Sequence, residues 1–568
     1  MSTQWLWLAT TVLALYVLRR LALPKPVPGI PYNIKSVNRL LGDIPDVLKY
    51  IQDTGEVASF IPQKAGKAFG TPMFQLFMRP FARPWIIITD FRETQDIILR
   101  RTREFDRSDF FRDIFHTLVP GSMVHMSTDD TWRAQRKLVG NTMTPSFLEN
   151  VSAPSIYSSG QALIGLWREK ARLAQGRPFD VKEDLYRSGL DTIWAVAFGN
   201  QIGATRGQLE RLLATDRVEV PITMDREATF PMVEEPAAFK SILALAESLD
   251  IPVSAALPRF QHWLALNLQP SLIRATRHKD RLIEEKIDEA VRKFSKATAS
   301  DNDVECALDH VIHREVQQAS KDNRPANPKS LFIKDELFAF MIAGHDTSAT
   351  TLLWGLKLLT DNQGAQNKLR QHLFAEFEHA RKTNSMPTVK NIYKSKIPYL
   401  EATLEEIYRM SGTSSAIFRK ATTDAVVLGH VIPKGTDVCM VTFGPDFVEP
   451  SLPIDESTRS ASSQEAKSKS GVWDPVTVRD FRPERWLKSN AAGEIEFDPK
   501  AGPSLLFGGG MRGCFGRKLA ELQLKILLTL IIWNFELEET PIALSSYKSK
   551  DGITHAPRQC YLRLVRST

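Results

Sequence analysis

The sequence predicts a mainly helical domain with a small β part, and three patterns carry that reading. Apolar residues recur at helical spacing through most of the stretch from about 91 to 410. Short apolar runs broken by prolines or turns flank it, at 73–90 and 415–445. A glycine-rich loop at 507–516 then precedes a long apolar helical pattern, Leu519 to Trp533. Length alone, 568 residues, suggests three or four domains of roughly 150 residues each. The motifs below run from 132 to 516 and must serve one site, so one catalytic domain is expected over 32–568.

The first element is a targeting segment, residues 1–23. Trp5 to Leu18 is uncharged and apolar, Arg19-Arg20 interrupts, and Leu21-Ala-Leu23 follows. About 20 residues span a bilayer, so the span is slightly short unless the arginines snorkel to the interface. Met1 to Gln4 carries no positive charge, unlike a cleaved signal peptide. The charges after the run predict an uncleaved anchor with the body of the protein on the cytosolic side. The sequon Asn150-Val-Ser152 is then expected to stay unused. Pro24 to Pro31 holds four prolines in eight residues, a stiff hinge that cannot extend a helix.

Two strands are expected within 73–90, from Phe74-Gln-Leu-Phe and Trp85-Ile-Ile-Ile-Thr89. Helices are expected at 130–138, 154–175, 183–199, 264–296, 330–360, 361–382 and 397–410. Residues 415–445 return to short β segments with a turn at Pro433-Lys-Gly435. Residues 451–472 hold seven serines and many charges, the composition of a solvated, mobile insertion loop. The last helix is expected at 515–533, with β segments near 535–541 and 559–565.

Composition narrows function. The balance of 73 basic and 66 acidic residues leaves +7, which argues against nucleic-acid binding and suits an anionic membrane or an acidic protein partner. Four cysteines, Cys306, Cys439, Cys514 and Cys560, are too few and too scattered for a disulfide framework or structural zinc.

The loop Phe507-Gly-Gly-Gly-Met-Arg-Gly-Cys-Phe-Gly516 carries the chemistry. It sets Cys514 at a helix N-terminus, where free N–H groups favour a thiolate. The glycines let backbone pass close to something flat and bulky. Arg512 is two residues away and suits a carboxylate. One thiolate with a nearby cation and no second cysteine suits an axial bond to haem iron. Phe507, Gly510, Arg512, Cys514 and Gly516, with Ala520 beyond, resemble the haem-binding signature of the cytochrome P-450 family. Gly508, Gly510 and Gly513 also satisfy the dinucleotide fingerprint, but no βαβ unit with a following acidic residue accompanies them.

Other stretches join the resemblance. Ala343-Gly-His-Asp-Thr-Ser348 lies mid-way along an apolar helix, where buried Asp346 and Thr347 are costly without partners. Alone, it reads as a back-bonded threonine and an aspartate paired elsewhere. Beside the haem loop, Ala343, Gly344, Asp346 and Thr347 resemble the family's oxygen-activation motif. That implies that Thr347 stabilises the activated oxygen and Asp346 helps relay protons; His345 falls at a variable position and reads as structural. Glu406 and Arg409 share a helix face, and Phe481-Arg-Pro-Glu-Arg485-Trp resembles the family's meander. The resemblance implies a buried structural triad of Glu406, Arg409 and Arg485. Trp132 and Arg136 match its propionate-binding helix, and Arg419 another propionate-binding arginine. With Arg512 these make three cations for two carboxylates.

The resemblance implies a cytochrome P-450 fold, with haem held between the long central helix and the cysteine loop. It implies a membrane-anchored, microsomal monooxygenase, of a kind resembling fungal specialised-metabolism members. The partners it implies are NADPH-cytochrome P-450 reductase, with cytochrome b5 as an alternative donor, O2 and a lipophilic small molecule. Arg512, Arg517, Lys518 and Lys525 could form the reductase-docking face, or simply a charged helix surface. Phe110, Phe111, Ile114, Phe115 and Val119, Ser414 to Phe418, and Ile553 to His555 fall at the family's substrate-contacting segments. A terpenoid, polyketide, alkaloid or fatty acid would suit them. The alternatives are a lipid or fatty-acid hydroxylase, a reductase-independent peroxide isomerase or dehydratase of the same fold, and a haem sensor or carrier without turnover. The 451–472 segment and the region 201–263 depart from the family pattern, the second where an access lid is expected.

Overall fold

The computed structural model describes residues 2–57, 59–255, 257–294 and 303–566. The chain divides into two compact units. The first holds residues 1–110, 415–479 and 508–512; the second holds 111–414, 480–507 and 513–568.

In the first unit, helix Ser2–Ala22 carries Arg19 and Arg20 in its last turn, and its Trp5–Ala22 stretch is long and apolar enough to cross a membrane. The prolines that follow are not a free spacer. Gln75, fully buried, accepts from the Val27 N–H (2.9 Å) and donates to the Val27 and Ile30 carbonyls (2.9 and 2.8 Å). One side chain thus satisfies three backbone groups that proline-broken backbone cannot pair with itself. The unit's sheet has five strands in the order 73–76, 85–88, 437–441, 416–421 and 105–107. Only 85–88 with 437–441 is parallel, and it places Ile87 opposite Cys439. The run Ile86-Ile87-Ile88 is wholly buried, as a central strand covered on both faces requires.

The serine-rich segment is exposed or half-buried at most positions, as its composition predicts, and it also carries local structure. It forms a turn at Glu456–Thr458, a short helix at Ala461–Glu465 and a further turn at Lys467–Lys469. Arg459 is its fastening: the buried guanidinium donates to both oxygens of Asp90 (2.7 and 2.8 Å). Ser460 donates to Asp96 (2.7 Å), and Ser463 is buried. A charge-assisted bidentate pair outweighs the polar composition that reads as disorder.

The second unit is built on the helix Leu331–Asp361, which runs through its core with helices Ala153–Ala174, Lys182–Phe198, Pro398–Ser411 and Arg517–Asn534. The expected helix at 264–296 is two, Pro258–Leu268 and Pro270–Phe294, because Pro270 has no N–H to continue the first; positions 295–296 lie outside the described residues. The expected 361–382 helix breaks at Phe377 into Gln363–Glu376 and Glu378–Lys382. Helices Ala204–Leu213, Ala237–Glu247 and Ala307–Lys321 were not foreseen. Strands 535–538, 561–566 and 179–180 form a small antiparallel sheet at the chain's end.

Candidate functional site

The central helix is apolar on nearly every face, yet one stripe of it is open. From Asp335 to Thr360 the incompletely buried positions are Glu336, Ala339, Phe340, Ala343, Gly344, Asp346 and Thr347. They recur at three- and four-residue spacing, so they form one line along the helix. Ala343 is the most open of them. Uncovered apolar surface in the middle of a core helix calls for a cover.

Thr347 stands on this stripe and donates to the Ala343 carbonyl (2.7 Å), bonding back into its own helix. Asp346 accepts from the Thr554 hydroxyl (2.9 Å), and the buried Tyr186 hydroxyl, whose pKa burial pushes well above its usual value, lies beside it. Thr554 thereby serves Asp346 and is not a free substrate contact. Next to it, His555 is buried against Trp354 and pairs with Asp551 (2.6 Å). His345 is buried and bonded to the Met341 carbonyl, the structural part expected of it. Gly344 answers to packing: a Cβ there would lie 2.5 Å from Ile193. Gly189 meets the central helix in the same way, 3.1 Å from the His345 carbonyl. The space Gly344 leaves on that side is filled by protein.

Cys514 is the one exposed cysteine among the four. Its N–H donates to the Phe507 carbonyl (2.8 Å), closing the loop before helix Arg517–Asn534. The sulfur is reachable by solvent but crowded by protein. Desolvation therefore pushes its thiol above the usual pKa, against the Gly516 N–H and the Arg136 and Arg517 guanidiniums, which pull it down. A bound metal deprotonates such a thiol outright. Cys306, Cys439 and Cys560 are sealed in the core, and burial raises each thiol, the first and last to about 12. Cys439 lies mid-strand opposite Ile87, with no room for a cofactor.

Arg136 lies 5.2 Å from the Phe515 ring centroid and 5.4 Å from that of Trp132. Burial lowers its pKa, and the nearby Cys514 and Glu336 oppose that. Among the described residues it has no hydrogen-bond or ion-pair partner. A half-buried guanidinium with five donors, stacked near two aromatic rings, suits a carboxylate ligand. In the first unit, Arg419 is buried, donates to the Phe418 carbonyl (2.9 Å), and has its pKa lowered by desolvation to about 10. Arg512 closes the turn Gly510–Arg512 in that unit. Gly510 has φ +65° and its Cβ position lies 2.3 Å from the Ile98 carbonyl, so only glycine fits there.

Glu406, Arg409 and Arg485 come together in the second unit. Arg409 Nε and Nη2 donate to the two Glu406 oxygens (2.8 and 2.7 Å), and Arg485 Nε to Oε1 (3.0 Å). Two partners were missed: the Arg482 N–H (2.8 Å) and the Trp486 indole (2.9 Å). The i, i+3 spacing marks the first pair, but nothing local signals the others.

Two expectations change. Lys525 donates to the Ser395 carbonyl (2.6 Å) and is half-buried, so it is not a docking cation; Arg517 pairs with Glu521 (2.7 Å). Phe110 and Phe418 pack on each other (4.3 Å) and on Trp85 (5.2 and 5.0 Å), so an aromatic cluster holds these two expected substrate contacts, with Phe110 half-buried.

These residues fit a haem. In a haem site the open stripe would supply an apolar face, the exposed thiol a ligand for iron, and Arg136 a partner for a carboxylate. The family profile described as Cytochrome P450 matches residues 48–444 and 478–561, leaving out the whole serine-rich segment. The chain is 43% identical over 98% of its length, and 97% of the relative's, to cytochrome P450 monooxygenase GME11363 of Pestalotiopsis microspora. It is 37% identical to cytochrome P450 monooxygenase TRI13 of Fusarium sporotrichioides, across 98% of both chains. A crystal structure of the cytochrome P450 CYP102L1 superposes with TM-score 0.66 at 16% identity, covering 96% of this chain and all of that one.

Proposed function

The chain belongs to the cytochrome P450 family, whose members are haem-thiolate monooxygenases, and from that premise we propose that Cys514 holds the iron and that the substrate is a lipophilic secondary metabolite. The observation that carries the assignment is the pairing, within one unit, of the single exposed cysteine with the open stripe through Ala343 and Thr347. Bound haem activates O2 with two electrons and two protons, so that one oxygen atom enters the substrate and the other leaves as water. Cys514 gives the iron an electron-rich ligand. Arg136 and Trp132 in the second unit would hold a propionate, and Arg419 and Arg512 in the first unit are the other arginines proposed for that role. Phe507, Gly510 and Gly516 shape the cysteine loop, and Ala343 and Gly344 line the haem face. Thr347 presents a hydroxyl on the open stripe, and Asp346 holds a proton-exchanging carboxyl one position away. Glu406, Arg409 and Arg485 brace the backbone behind the loop.

A secondary-metabolite substrate is supported by the fungal relatives and by the apolar stripe, which offers no charge to a polar ligand except Glu336 and Asp346. NADPH-cytochrome P-450 reductase is the electron donor, since no flavin or nicotinamide segment is evident. An endoplasmic reticulum location is supported by the apolar helix Trp5–Ala22, which is long enough to serve as an anchor, and a cytosolic catalytic body by Arg19 and Arg20 after the apolar run. The test is to screen terpenoids, polyketides, alkaloids and fatty acids for a Soret shift, then supply reductase, NADPH and 18O2 to those that bind. One labelled oxygen per product supports the reading. Conversion of a peroxide substrate without reductase would favour the isomerase alternative instead.

A further inference from the structure

Two adjacent acids on the central helix do something the oxygen motif does not use. The Gly121 N–H donates to Asp335 (2.7 Å). The Ser122 hydroxyl and the Met123 N–H both donate to one oxygen of Glu336 (2.8 and 3.0 Å). Three donors from three consecutive residues thus end on two consecutive carboxylates. Gly121 passes so close that a Cβ would lie 2.9 Å from the Leu331 carbonyl. The loop is braced from within as well, where His125 Nε2 meets the Val119 carbonyl (3.1 Å).

The placement matters because Glu336 opens the exposed stripe that continues through Phe340, Ala343 and Thr347. Glu336 also lines a small open cleft with Phe340 and Phe515, the residue after Cys514. Both carboxylates lie in surroundings that desolvate them, and both are offset by the loop's donors. Mid-helix acids that merely faced solvent would need no such partners.

We infer that Asp335 and Glu336 are positioning residues that pin loop Gly121–Met123 across the N-terminal end of the open stripe and so set how large a ligand the stripe admits. The inference rests on the haem-thiolate reading above. Asn and Gln keep an acceptor oxygen at each position, so Asp335→Asn with Glu336→Gln should preserve the clamp. Asp335→Ala with Glu336→Ala removes it.

Two readouts test this on the full-length holoenzyme. Hydrogen exchange should show the Gly121 and Met123 amides at least tenfold faster in the double-alanine variant and near wild type in the Asn/Gln variant. Optical titration with imidazole and with a biphenyl-substituted imidazole reads the size limit. In the double-alanine variant imidazole should bind as in wild type. The affinity of the larger azole relative to imidazole should rise at least fivefold, and the Asn/Gln variant should restore the wild-type ratio. Unchanged amide exchange would overturn the clamp. Faster exchange with an unchanged azole ratio would reduce it to a structural contact and overturn the inference alone. If wild-type protein gave no imidazole shift at all, the haem reading would fail and take this inference with it.

Discussion

Replacing Glu406 with glutamine is the sharpest test of how the cysteine loop is supported. The carboxylate accepts five hydrogen bonds: three on Oε1, from Arg409 Nη2, Arg482 N and Arg485 Nε, and two on Oε2, from Arg409 Nε and Trp486 Nε1. A glutamine has one oxygen. Whichever site that oxygen takes, its amide group confronts at least two donors at the other. Arg409 is fully buried and Arg485 nearly so, and they would lose the counter-charge they share. Breaking a buried ion pair by removing one partner costs roughly 3–5 kcal/mol. For a unit of this size that is a fall in melting temperature on the order of 5 °C. Trp486→Phe, which leaves Oε2 with Arg409 Nε, should cost only about 1–2 kcal/mol. The assay is thermal unfolding of the haem-loaded protein, with haem content measured by absorbance in parallel. A Glu406→Gln protein that melts within 1 °C of wild type and keeps its haem would refute the reasoning.

Three further outcomes follow from named contacts. Gly344→Ala should destabilise by roughly 1–3 kcal/mol, because its Cβ would collide with Ile193, and adding Ile193→Ala should recover part of that loss in a double-mutant cycle; independent effects would mean the helices do not meet there. Thr347→Ala should keep haem and ligand affinity but lower product formed per NADPH consumed, with peroxide rising; an unchanged ratio would leave Thr347 as a helix residue bonded to Ala343. His262, wholly buried on Ser248, has its pKa lowered by desolvation from 6.5 to about 4. Its stabilising contribution is complete above pH 6.5 and is lost as pH falls toward 4, about 2 kcal/mol by pH 5, since the unfolded imidazole takes up a proton the folded one refuses. Protection factors of the amides in Pro258–Leu268, corrected for the slower intrinsic exchange at lower pH, should therefore fall between pH 7 and 5, and His262→Gln should flatten that dependence.

The parts legible in the sequence are those encoded locally. The cysteine loop and the apolar helix after it are contiguous, and Glu406 with Arg409 is an i, i+3 pair. What pairs across long stretches of chain was not legible. Thr554 reaches Asp346 over 208 positions, and Arg459 reaches Asp90 over 369. Composition marked 451–472 as solvated, and most of it is exposed or half-buried, but the fastening of Arg459 to Asp90 was not legible, because a single arginine with a buried acid leaves no trace in a serine count. Gly344 and Gly510 also mark close approaches of protein, to Ile193 and to the Ile98 carbonyl, that no local pattern names. Proline at 270 marked a helix break that apolar periodicity ran straight through.

The central claim is that Cys514, alone of four cysteines, binds the haem iron. Carbon monoxide difference spectra of reduced wild type, Cys514→Ser and the triple variant Cys306→Ser, Cys439→Ser, Cys560→Ser test it most directly. A hydroxyl is a far poorer electron donor to iron than a thiolate. The red-shifted thiolate band should vanish in Cys514→Ser and persist in whatever fraction of the triple variant folds. A Cys514→Ser protein that retains that band would contradict the assignment.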